Sequence, residues 1–215
     1  GLPIYIDGEL GPDNDRIGMA LLKYFEAEFP DMKPGRILDM GCTVGNNTLP
    51  WAEAFPDAEV HAIDVAAPCL RYGHARAELA GVPVHFSQRN AECTGFDAES
   101  FDVVLSHIVI HETSKPALRN IIAESYRLLK PGGVMLHLDV PRGSGPFDQF
   151  MSQWEVYNNN EVFASHLTDI DLAALAADCG FAGDKVSMVG VGPYTGINHA
   201  YNDHGFKWPT LLGTK

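Results

Sequence analysis

Cysteine is scarce in this chain. The four thiols, Cys42, Cys69, Cys93 and Cys179, are scattered, with no C-x-x-C pair and no zinc-ligand spacing. A disulfide scaffold and a structural metal are therefore not expected, and reduced thiols in a cytoplasmic protein are. No apolar run comes near the 18 residues that a membrane helix needs, and no signal peptide is evident. Basic residues are few, 15 against 28 acidic ones, for a net charge of −13. They form no cluster. Such a surface repels phosphate backbones and anionic membranes, so neither nucleic acid nor membrane is an expected partner. The first residue is Gly1, which points to a trimmed N-terminus. The oligomeric state is left open.

What is present is an ordinary globular balance, 46% apolar and 20% charged, long enough for one well-cored domain. Residues 1–12 read as an arm and 13–29 as a helix with Ile17, Leu21, Phe25 and Phe29 at helical spacing. Asp13 or Asn14 would cap it. The first 35 residues are thus an arm and helix preceding a main domain over 36–215. From Arg36 the chain alternates. Strands are expected at 36–40, 59–64, 84–88, 101–106, 134–140, 185–191 and 206–213. Helices are expected at 46–55, 68–80, 115–129 and 169–179, the last capped by Thr168 and ended by Gly180. Apolar strands separated by helices imply a largely parallel sheet with helices on both faces.

The organising stretch is Arg36-Ile37-Leu38-Asp39-Met40-Gly41-Cys42-Thr43-Val44-Gly45-Asn46-Asn47-Thr48. A buried strand stops at a glycine turn and a helix follows, which suits a nucleotide-like ligand. The dinucleotide fingerprint G-x-G-x-x-G fits poorly, because Thr43 stands where its second glycine belongs. A phosphate-binding Walker loop needs a lysine, and none follows Gly45 before Lys115. Asp-x-Gly-x-x-x-Gly, from Asp39, Gly41 and Gly45, fits better. A plain strand–helix turn with two structural glycines is the remaining reading.

Four further features line up with this loop. Asp64 ends the second strand, 19 residues after Gly45, where a carboxylate can accept hydrogen bonds from ribose hydroxyls. Asn90-Ala91-Glu92 follows the third strand. Phe101-Asp102-Val103-Val104 opens the fourth, which ends at Ser106-His107. Leu128-Leu129-Lys130-Pro131-Gly132-Gly133 turns into the fifth. In combination, residues 36–140 resemble the class I S-adenosylmethionine-dependent methyltransferases. That resemblance implies a Rossmann-like α/β fold with a seven-stranded sheet of order 3-2-1-4-5-7-6, strand 7 antiparallel. It implies S-adenosyl-L-methionine as cofactor. The methionine end would lie at Asp39, Gly41, Cys42, Thr43 and Gly45, and the ribose at Asp64 and Val65. Asn90, Ala91 and Glu92 would surround the adenine, and Ser106 would face the cofactor. Many family members have glycine where Thr43 stands, so the loop is expected to be tighter here.

Methyl transfer is an in-line displacement that depends mostly on alignment, and a base is needed only if the nucleophile carries a proton. His107, His111 and Glu112 follow the fourth strand. Of these His111, with His107 second, is the expected proton acceptor, and packing against cofactor and sheet is the alternative for each. His61 and His137 lie within strands and read as core residues. His199, His204 and Asp203 match no metal pattern. The stretch 141–166 opens Pro-Arg-Gly-Ser-Gly-Pro and continues with Phe147, Phe150, Met151, Trp154, Tyr157 and Phe163. It reads as a substrate lid or as a helix packed on the sheet, two readings that do not exclude each other. The expected activity is methyl transfer to a small molecule. A non-catalytic cofactor-binding or partner-binding module on the same fold and a nicotinamide-dependent dehydrogenase are the competing readings, the latter disfavoured by Thr43 and by the absence of a third loop glycine.

Overall fold

The computed structural model describes residues 16–140, 145–158, 160, 162–163, 169–192 and 207–215. Among these residues seven strands form one sheet: β1 (Arg36–Met40), β2 (Glu59–Asp64), β3 (His85–Gln88), β4 (Phe101–His107), β5 (Leu129–Leu138), β6 (Val186–Val191) and β7 (Trp208–Thr214). Their order is β3-β2-β1-β4-β5-β7-β6, as the resemblance implied. β1 pairs in parallel with both β2 and β4, and β7 runs antiparallel between β5 and β6. The helices are α1 (Arg16–Glu28), α2 (Thr48–Ala54), α3 (Ala67–Ala80), α4 (Lys115–Leu128), α5 (Pro146–Asn158) and α6 (Leu172–Asp178).

Successive strand residues point to opposite faces, and the core divides accordingly. On one face Ile37, Val60, Val103, Leu105 and Leu136 pack with Leu21 and Phe25 of α1 and Trp51 of α2. On the other, Leu38, Met40, Val104 and Met135 pack with Leu118 and Ile122 of α4 and Ala176 of α6. Because α1 shares a core with β1, the boundary expected at residue 35 does not separate two cores. Ser114 caps α4 by accepting from Ala117 N. Asp171 caps α6 through Ala174 N, so that helix begins at Leu172 rather than at 169. The expected caps Asp13, Asn14 and Thr168 lie outside the described residues, as do His199, Asp203 and His204.

Two familiar stretches prove to be structural. Asp102 Oδ2 accepts from Gly35 N at 2.9 Å and Arg36 N at 2.8 Å, and the carboxylate also takes Lys130 Nζ at 2.9 Å. One carboxylate thus ties the starts of β1, β4 and β5. β5 begins at Leu129, just before the Lys-Pro-Gly-Gly turn and five residues earlier than 134, because Leu129 already pairs with Phe101 across an irregularity in the ladder. His137 is core, as read. It shares hydrogen bonds with Ser106 Oγ at 2.7 Å and Ser125 Oγ at 3.1 Å, and burial lowers its pKa to about 4. His61 is half-buried and stacks on His85 with ring centroids 5.0 Å apart.

α1 also abuts the loop after β1. A Cβ on Gly18 would lie 2.6 Å from Asn47 Cα and 2.7 Å from Asn46 O, both backbone atoms that cannot swing away. Gly18→Ala should therefore cost roughly 1–3 kcal/mol, the scale of overpacking. Gly183→Ala is the control, since a Cβ there meets nothing within 4 Å. Equilibrium urea unfolding of both variants checks this, and equal midpoints would refute the contact.

Candidate active site

The sheet order reverses between β1 and β4, and in such sheets the crevice at the strands' carboxyl ends is where ligands bind. A cavity of about 840 Å³ lies there. Its wall includes Asp39, Gly41, Cys42, Thr43, Asp64, Val65, Asn90, Ala91, Glu92, His107 and His111. Two anticipated residues are absent from it. Ser106 is fully buried and hydrogen-bonded to His137, so the alternation of β4 turns it into the core and the expectation that it faces a cofactor is corrected. Gly45 serves the loop from behind: its φ is +84°, and a Cβ would meet Leu49 Cδ1 at 2.7 Å.

The loop is held by Asp64. Its Oδ2 accepts from Thr43 N at 2.9 Å and its Oδ1 from Ala66 N at 2.8 Å. Thr43 takes φ +47°, the left-handed region where glycine is comfortable. A β-branched residue is tolerated there because the carboxylate captures its N–H. Gly41 and Cys42 donate to Ile63 O, which completes the tie to β2. Beyond β3, Asn90 Oδ1 accepts from Glu92 N at 2.9 Å, and Glu92 Oε2 accepts from Asn120 Nδ2 at 2.8 Å, so the 90–92 turn is anchored to α4.

Asp39 lies at the floor, 1% exposed. Thr48 Oγ1 donates to its Oδ2 at 2.6 Å. Burial raises its pKa to about 7; the Thr48 hydroxyl and the Asn47 side-chain amide oppose the rise and the Asp64 charge adds to it. Burial, with Asp39 and Asp64 nearby, also pushes the Cys42 thiol up, so it stays neutral. Asp39 Oδ1 lies beside the Asn47 side chain without a well-aligned hydrogen bond, and Asn46 Nδ2 and both polar atoms of Asn47 are likewise buried without one. Buried polar groups of this kind normally have partners. One acceptor-only carboxylate oxygen beside amide donors is the complement of an amino acid's ammonium and carboxylate. The residues present therefore fit the methionine end of S-adenosylmethionine.

The opposite wall follows β4. Ile108 has φ +58°, a strained conformation for a β-branched residue, and its N–H bonds to Leu138 O. The chain then enters a short 3-10 turn, Ile110–Glu112. His111 is 4% exposed; its Nδ1 is 2.7 Å from Asp139 Oδ1 and its backbone N donates to Asp139 Oδ2 at 3.1 Å. A carboxylate only accepts, so Nδ1 carries the proton and Nε2 is the basic nitrogen. His107 shares the wall, but burial lowers its pKa to about 4 despite Asp139 nearby, which makes it a poor base at neutral pH. Asp139, one residue past β5, was not singled out in the sequence. An acid just beyond an apolar strand end was the available signal. Asn46, Asn47 and Arg89 were missed likewise.

The lid segment is only partly described; Gly143 and Ser144 lie outside. Helix α5 leaves Phe147, Phe150, Trp154 and Tyr157 between 46% and 88% exposed, so its aromatic face is not buried on the sheet. Phe163 beyond it lines the cavity. Among the described residues no group of three potential metal ligands converges, and no helix is long and apolar enough to cross a membrane.

Sheet order, loop and cavity together define a class I methyltransferase architecture. Comparison with known proteins agrees. Residues 37–133 match the family described as "Methyltransferase domain". The chain is 30% identical to an uncharacterised methyltransferase of Synechocystis sp. over 70% of its own length and 68% of the relative's. It is 29% identical to the malonyl-[acyl-carrier protein] O-methyltransferase of Salmonella typhimurium, over 57% of this chain and 45% of that one. Haemonchus contortus phosphoethanolamine N-methyltransferase 2, solved with phosphomonomethylethanolamine and S-adenosylhomocysteine, shares the fold at TM-score 0.70 and 21% identity, covering 92% of this chain and 52% of that one. The chain belongs to the class I S-adenosylmethionine-dependent methyltransferases, a family of enzymes. It spans less than half the length of the first curated relatives it matches.

Asp39 gives a test of the floor's electrostatics. Its pKa is raised from 3.8 to about 7, so its contribution to stability is full below pH 3.8 and is lost as pH rises through 7. Asp39→Asn keeps an acceptor for Thr48 and removes the buried charge. Without ligand, the variant should exceed the wild type by roughly 2–4 kcal/mol at pH 8 and lose that advantage at acid pH. Denaturation across pH 4–8 measures this; a pH-independent difference would refute it.

Proposed function

We propose that this chain transfers a methyl group from S-adenosylmethionine to a small-molecule acceptor. One observation carries the reading: a single cavity collects the Asp39–Thr43 loop, Asp64 and the 90–92 turn on one side and a histidine oriented by a carboxylate on the other. When bound, the cofactor supplies an activated methyl group on a sulfonium. Asp39, Asn46 and Asn47 would hold its amino-acid end and Asp64 its ribose, each Asp64 oxygen retaining a lone pair beyond the backbone N–H it already accepts. Asn90, Ala91 and Glu92 would flank the adenine.

His111 is the proton acceptor in this reading. Asp139 fixes its tautomer and ring plane and stabilises the imidazolium that forms. Ile108 and Val109 form apolar wall beside it, and exclusion of water strengthens the electrostatics inside. The residues 141–166 would act as a cover over the acceptor. The relatives are named for oxygen and nitrogen acceptors, which supports a small-molecule role without fixing the nucleophile. The net charge of −13 and four free cysteines support a cytoplasmic enzyme that does not bind nucleic acid.

Calorimetry with S-adenosylmethionine tests the cofactor half. Asp64→Ala should weaken binding by roughly 1–3 kcal/mol, the scale of hydrogen bonds to a charged group. An unchanged affinity would remove Asp64 from the ribose site. The catalytic half is tested by release of S-adenosylhomocysteine during turnover. His111→Ala should lower kcat by roughly 10²–10⁴-fold, with cofactor affinity retained. Normal turnover would mean that positioning alone drives the reaction.

A further inference from the structure

We infer that the acceptor is an amine that arrives as an ammonium ion, and that Glu112 is the residue that selects it. The inference rests on the methyl-transfer reading above and deepens it. Glu112 immediately follows His111 in the 3-10 turn and lines the same cavity. Its Oε1 is 3.6 Å from His111 Nε2. Its side chain is 58% exposed, against 5% for His111 and Asp139. The fixed charge therefore stands toward the opening and the proton acceptor behind it, within reach of one small polar group.

Each acceptor class uses this pair differently. A hydroxyl needs the imidazole but gains little from a carboxylate beside it. A phosphate or carboxylate is repelled. An ammonium uses both groups: the carboxylate holds the cation by a charge-assisted hydrogen bond, and the imidazole takes the proton that must leave before nitrogen can attack. The surrounding charge favours the same class. Asp64 and Glu92 add negative charge on the cofactor side, and Arg89, which also lines the cavity, has its guanidinium engaged, Nη1 bonding Thr94 O at 2.6 Å and the group lying over the Phe96 ring. In the balanced step an ammonium proton passes to His111 Nε2. The nitrogen lone pair forms the new N–C bond, and the C–S bond breaks with its electron pair going to sulfur. The products are a thioether and an N-methylammonium ion.

The test uses phenethylamine, 2-phenylethanol and phenylacetate, three probes that share an apolar body and differ in head-group charge. Their binding is measured by calorimetry on the chain saturated with S-adenosylhomocysteine. The amine should bind at least about tenfold more tightly than the alcohol, with phenylacetate weakest, the scale of one hydrogen bond to a charged group. Glu112→Gln should erase that preference and leave S-adenosylhomocysteine affinity unchanged. In turnover with phenethylamine it should raise KM with kcat retained, the opposite split to His111→Ala. An amine that binds no better than the alcohol, or a preference that survives Glu112→Gln, overturns the assignment of Glu112 and leaves the cofactor reading standing. Failure of the wild type to bind S-adenosylhomocysteine overturns both.

Discussion

The site depends on β1 being paired in parallel on both sides. With β2 on one flank and β4 on the other, the carboxyl ends of three strands open at the same level. The loop after β1, the acid that ends β2 and the turn after β4 then face one space. Asp102 secures the far end, holding Gly35 N, Arg36 N and Lys130 Nζ, so the strand starts cannot slide relative to each other. A slip of one residue would exchange the two faces of β1 and send Asp39 and Met40 to the wrong sides.

Two carboxylates then organise the two walls. Asp64 binds the main chain of the loop it faces, and Asp139 binds both the ring and the main chain of His111. Each spends hydrogen bonds on preorganisation, so that the cavity needs little rearrangement when a ligand enters. Asp39 is different in kind. Its buried carboxylate is poorly solvated, its pKa is high, and one oxygen makes no well-aligned hydrogen bond. Such strained polar groups concentrate where a protein trades stability for binding. Thr43 and Ile108, both β-branched at positive φ, flank the same space.

Much of this was readable from the residues. Strand and helix positions came within a few residues because apolar runs and glycine turns are local signals. Their errors are also local. β5 starts early because Leu129 pairs across an irregularity, and α6 starts late because Asp171 takes the cap. The motifs that look most familial, Phe-Asp-Val-Val and Leu-Leu-Lys-Pro-Gly-Gly, turn out to brace the sheet through Asp102 and Lys130, away from the chemistry.

The alternation of strand and helix, the glycine loop after β1 and the acid at the end of β2 are written in the linear order of residues. Each is set by neighbours within a few positions, through side-chain period, backbone freedom and strand ends. Which polar residues meet depends instead on how the strands and layers pack. Asp139 is 28 residues from His111 and reaches it because β4 and β5 run side by side. Ser106, one residue from His107, is turned into the core by the two-residue period of the same strand. Gly18 needs to be glycine because a helix 29 positions earlier in the chain presses on Asn47. These are contacts across the sheet and between layers, and the order in which strands pair is what creates them.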